Sequence, residues 1–156
     1  MDTIDLRPHH VLDIVRGFQP DEDPDYVRGP GQNGVRTVVR MMTRSIDFPA
    51  RFIIGPDFIC APCSHLHPDG RCDRILERHD PPQPIDDYND PLDARVLDYL
   101  GLEPGVEMTV RRFLEIVNGR LPGIEDVCTH PTEEKSKRRQ GLIDGMIALG
   151  VRAPAD

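Results

Sequence analysis

The residues of this chain best suited to chemistry are its four cysteines. Cys60-Ala61-Pro62-Cys63 is followed after eight residues by Cys72, and Cys128 stands far downstream. A Cys-x-x-Cys pair can turn both sulfurs toward one metal. Pro68-Asp69-Gly70 is a turn signal that can bring Cys72 back to the same point. Cys128 follows an acidic loop and, as the remaining cysteine, is the natural fourth ligand. Four thiolates suit either tetrahedral zinc or an iron–sulfur cluster, and spacing alone does not separate the two. Two other readings compete. Free cysteines can pack as small apolar side chains, but a polar, Pro-rich loop is a poor place for three of them. Cys-Ala-Pro-Cys also resembles a thioredoxin-type redox dithiol, yet the strand–helix context that lowers such a thiol's pKa is missing here.

Histidines and acids form a second group. His9 and His10 open a helix, and Asp13 shares a face with His9. With Arg7 beside them they make a site that could bind an anion, ligate a metal or position a substrate. The plainer reading is a histidine that caps backbone groups. His65 and His67 alternate on the cysteine loop; either one in place of Cys128 would give a Cys3His site, which favours zinc. His130, two residues beyond Cys128, could hydrogen-bond a ligand sulfur. Each of these three is more simply a solvated loop histidine. Asp57 precedes the first cysteine by three residues. No Gly-rich phosphate loop, nucleophile elbow or pair of catalytic carboxylates stands out.

Several blocks resemble the domain of unknown function 1284 family, bacterial and archaeal proteins described as iron–sulfur-binding. They are Leu6-Arg7-Pro8-His9-His10-Val11-Leu12, Gly55-Pro56-Asp57-Phe58-Ile59-Cys60-Ala61-Pro62-Cys63, Asp69-Gly70-Arg71-Cys72, and Leu97 to Gly105. The resemblance implies an iron–sulfur cluster, 4Fe–4S first, on Cys60, Cys63, Cys72 and Cys128, with zinc as the alternative. The chain departs from the family in two places. Asp13 stands where members often carry a cysteine, and a small terminal cysteine cluster is reduced to Cys128.

The elements that must position these residues read as short. Residues 3–7 predict a strand entering a helix, with Pro8 at the first helical position, where its missing N–H is harmless. Residues 19–34 predict a loop, 35–46 a helix and Arg51 to Ile54 a strand stopped by Gly55-Pro56. Asp73 to His79 predicts a short helix. Asn89 or Asp90 is expected to cap the next helix with Pro91 in its first turn, Thr109 the one after, and Thr132 the last, which ends at Gly150. The expected fold is α+β, mostly α: one small domain over residues 1–156, with a few short strands and a metal-binding cysteine loop.

Composition bounds the partners. At 156 residues the chain can bury a core without a metal, although only 38% of it is apolar and Trp is absent. The net charge of -8 argues against nucleic acid and against an anionic membrane surface. No run approaches the roughly 18 apolar residues of a membrane helix, and Met1 to Asp5 is no signal peptide. A cytoplasmic location is expected, where cysteines serve as metal ligands rather than disulfides. Three functions follow: a closed iron–sulfur protein for electron transfer or redox sensing with a partner protein, a structural zinc domain, or an iron–sulfur enzyme with an open iron acting on a small molecule.

Overall fold

Pro8 fixes the hinge on which the fold turns. It ends strand β1 (Ile4–Leu6) and starts helix α1 (Pro8–Arg16), whose Val11, Leu12, Ile14 and Val15 are buried. The structure is a computed structural model and describes residues 2–18, 34–77, 79–130 and 132–155. The loop expected over 19–34 lies outside the described residues except for Gly34. Helix α2 (Val35–Arg44) buries Val38 and Met42 and leads into β2 (Pro49–Phe52). Strand β2 begins and ends two residues earlier than its apolar run suggests, because Pro49 and Ala50 already pair. It lies parallel to β1, Leu6 opposite Phe52, and antiparallel to β5 (Val106–Thr109), Pro49 opposite Thr109.

The helix expected over Asp73 to His79 is absent among the described residues. Ile75–Leu76 is strand β3, paired antiparallel with β4 (Gln83–Pro84). A seven-residue helix is marginal by itself, and the β-branched Ile75 fits the ladder better. Helix α3 (Ile85–Leu100) starts one turn before the expected Asn89 or Asp90 cap and carries Pro91 in its interior. Asp86 and Asp87 occupy its first turn, where the positive end of the helix dipole favours acids. Gly101 ends it in the left-handed conformation, φ +72.

The Thr109 cap forms as read: its side chain accepts from the Arg112 amide at 3.1 Å and opens α4 (Val110–Asn118). The Thr132 cap does not. Its amide donates to His130 Nδ1 at 3.2 Å, His130 bridges Glu133, and α5 (Lys135–Ala148) starts after Glu134.

The sheet carries α4 through Phe52, whose ring stacks on Phe113 with centroids 4.0 Å apart. Helices α1 and α5 meet at backbone distance. A Cβ at Gly145 would lie 1.9 Å from the Val15 carbonyl oxygen, and one at Gly141 would lie 2.8 Å from that of Arg16. Only glycine permits this crossing, and it sets α5 against the helix that bears the histidines. The result is one small α+β domain, mostly helical. Among the described residues no helix is long and apolar enough to cross a membrane.

Candidate metal centre

The first turn of α1 presents Arg7, His9 and His10 to two buried carboxylates. Asp93, on α3, is fully buried and accepts from Arg7 Nε at 2.7 Å, from the His9 amide at 2.9 Å and from His9 Nδ1 at 2.9 Å. Asp57 accepts from the Arg7 amide at 2.7 Å and from His10 Nδ1 at 2.8 Å. Its other oxygen accepts from the Cys60 amide at 3.1 Å. Burial pushes both carboxyls up, but these bonds outweigh it and hold each below the usual carboxylate range. A carboxylate on Nδ1 makes that nitrogen the proton carrier. Nε2 is the other ring atom, and no hydrogen bond engages it in either ring among the described residues. The two rings are neighbours, with centroids 4.4 Å apart.

The cysteine loop is folded by its own backbone. The Cys63 amide donates to the Cys60 carbonyl at 2.9 Å, and Leu66 bridges Cys72. Gly70, at φ +85, makes the turn read from Pro68-Asp69-Gly70. The Cys72 amide donates to Asp86 at 2.9 Å, which ties the loop to the start of α3. Gly34 donates to the Ile59 carbonyl at 2.9 Å and ties it to α2.

Cys60, Cys63 and Cys72 thereby line one cavity of about 360 Å³, together with Arg7, His9, His10, Asp13, His130 and Arg138. Cys128 is not among the described lining residues. It is fully buried, and Arg138 grips it, Nη2 to Sγ at 3.0 Å and Nε to the carbonyl oxygen at 2.6 Å. Asp13 pairs with the same guanidinium at 2.8 Å rather than with His9. His65 and His67 both turn to Asp73 on the exposed side of the loop.

None of the four cysteines is in a disulfide. Burial pushes the Cys60 thiol up to about 12, with the Asp57 charge adding to it, and the Cys128 thiol up to about 11 against the pull of Arg138. Cys72 is also raised by burial. These thiols carry protons unless a metal displaces them. Among the described residues, one group of three donors lies within 4.8 Å of one another: His10, Asp57 and Cys60. Among the described residues no three of the cysteines form such a group.

Comparison of the chain with protein-family models, curated proteins and solved structures finds no match. The reading of the site therefore rests on its own residues.

Two residues escaped the sequence reading, and the role of a third was not foreseen. Asp93 sits on the buried face of α3 beside Leu92, Val96 and Leu97. Arg138 precedes Leu142 by four on the buried face of α5. A charge at an apolar-periodic position demands a buried partner, and that signal was legible. Asp57 was noted only for its place before the cysteines. Its three bonds come from residues up to 50 positions away in sequence, which no local pattern reveals.

Proposed function

We propose that this chain is an iron–sulfur cluster-binding protein with Cys60, Cys63 and Cys72 as cluster ligands and Cys128 as the fourth candidate. The observation that carries the reading is one cavity of about 360 Å³ lined by three cysteines of a single loop. A closed structural zinc site packs four donors about one ion, and among the described residues no three cysteines lie that close together. A cubane cluster is larger, and it holds its ligand sulfurs further apart than one ion does, as the spread of Cys60, Cys63 and Cys72 allows. The donor set fits the group: three half-buried soft thiols on one loop, with backbone amides tied down around them. A cluster of this kind supplies reversible one-electron exchange. The chain's own part is to bury it, orient the loop through Asp57 and Asp86, and keep imidazoles and guanidinium groups beside it.

Electron transfer or redox sensing with a partner protein is the role this supports, in the cytoplasm, where unpaired thiols persist. A second reading, an enzyme acting on a small molecule, is favoured by Cys128. Its sulfur is held by Arg138, which leaves three thiolates facing the cavity. Anaerobic purification with iron, sulfide and zinc analysis tests the proposal. Iron and sulfide together, lost on changing Cys60, Cys63 or Cys72 to Ser, support it. Zinc without sulfide selects a structural metal domain instead.

A further inference from the structure

We infer that His10, and not Cys128, supplies the fourth ligand of the centre, so that the donor set is three thiolates and one imidazole. This rests on the metal-centre reading above and sharpens it. The first observation is the orientation of the ring. Asp57, itself buried, accepts from Nδ1 at 2.8 Å, so Nδ1 is taken as the donor and Nε2 is the ring atom open to a metal. A carboxylate behind a histidine is the usual support of a metal-bound imidazole, because it sets the tautomer and raises the ligand's basicity.

The second observation is proximity. His10, Asp57 and Cys60 form the one group of potential donors within 4.8 Å among the described residues. Asp57 is already occupied by three hydrogen bonds, two from amides and one from the ring. Of that group, the Cys60 thiol and the His10 ring are the side chains left to bind. One carboxylate thus positions both: the imidazole through its ring nitrogen and the cysteine through its amide.

The third observation concerns Cys128. Its sulfur faces a buried guanidinium at 3.0 Å, and the same guanidinium holds its carbonyl and Asp13. Cys128 is fully buried and is not among the described residues that line the cavity shared by Cys60, Cys63 and Cys72, whereas His10 is. His9 is the lesser candidate. Its Nδ1 lies 2.9 Å from both oxygens of Asp93, and it belongs to no close donor group with a cysteine.

The test compares wild type, His10→Ala and Cys128→Ser, each purified anaerobically and checked for folding by circular dichroism. Iron and sulfide per chain are measured. X-ray absorption at the metal edge and pulsed electron paramagnetic resonance on protein grown with 15N-histidine are recorded for the wild type. The expected result is a directly bound histidine nitrogen in the wild type, full metal content in Cys128→Ser and a several-fold loss in His10→Ala. A wild-type first shell of sulfur alone overturns the inference whatever the variants do. So does a folded Cys128→Ser chain that loses its metal while His10→Ala keeps it. Zinc bound by three sulfurs and one nitrogen of His10 would leave the ligand assignment standing and remove the cluster. A wild-type chain that takes up neither metal rejects the centre itself.

Discussion

Arg138 Nη2 lies 3.0 Å from Cys128 Sγ and 2.8 Å from Asp13 Oδ1, so one buried guanidinium joins the end of the 3-10 turn at Ile124–Asp126, helix α1 and helix α5. Replacing Arg138 by Met keeps the apolar stem and removes every one of these bonds. The Cys128 carbonyl is left buried without its donor. Unfolding in urea is expected to show a loss of about 3 kcal/mol. Asp13 is half-exposed and adds little, because water can replace its partner.

Asp93→Asn tests the second buried carboxylate. Arg7 would retain only Asp90, which is largely exposed, and His9 would lose the acceptor of its Nδ1 proton. A melting curve of the metal-free chain is expected to show about 3 kcal/mol of destabilisation. Asp90→Asn, on the exposed side of the same arginine, should cost less than about 1 kcal/mol.

Acid should weaken the metal-free fold through the same two carboxylates. Both Asp57 and Asp93 have folded-state pKa values below the usual range, so each binds its proton more weakly folded than unfolded. Their contribution is complete above the unfolded value of about 3.9 and is lost as pH falls through the lower folded values. Stability followed by denaturant titration is therefore expected to decline with acid below about pH 4. The double variant Asp57→Asn/Asp93→Asn should show a flatter decline. An unchanged slope would remove these carboxylates from the explanation.

Thiol labelling of the metal-free chain should be uneven. Cys60 is pushed up to about 12 and Cys128 to about 11, and Cys128 is wholly buried. The thiolate is the reacting form. Near neutral pH, iodoacetamide is expected to modify Cys60 far more slowly than glutathione and to reach Cys128 only on unfolding, as read by peptide mass spectrometry.

Gly145→Ala should be among the most damaging single methyl additions in the chain. The new Cβ would fall 1.9 Å from the Val15 carbonyl oxygen, which is backbone and cannot rotate away. A loss of about 3 kcal/mol or more, or failure to fold, is expected in thermal melts. Gly150→Ala is the comparison. There the added methyl meets open space, and only the positive φ of +76 is strained, at about 1 kcal/mol.

Local signals carried much of the architecture. Pro8 before an apolar face marked α1, Thr109 marked the start of α4, and Pro68-Asp69-Gly70 marked the loop that brings Cys72 back. What failed were boundaries decided by competition. Thr132 has cap chemistry, but its hydroxyl pairs with His130 Nδ1 instead. Asn89 and Asp90 precede a proline, yet Asp86 and Asp87 begin the helix a turn earlier. The site was legible in its cysteine loop and in the His9-His10 pair, which do line one cavity. Its supports were not, because Asp93 reaches His9 across 84 positions and Arg138 reaches Asp13 across 125.

The glycine crossing of α1 and α5 also fixes a rotational phase. Arg138, Gly141, Leu142 and Gly145 all belong to the buried side of one helix whose azimuth is locked by contact with the α1 backbone. Inserting a single residue between Arg138 and Gly141 would turn the guanidinium by about 100° relative to that contact. Arg138 would swing away from Cys128 with its side chain chemically intact. Length between these positions is therefore as constrained as residue identity, whereas the exposed residues 153–155 can be lengthened without touching the site.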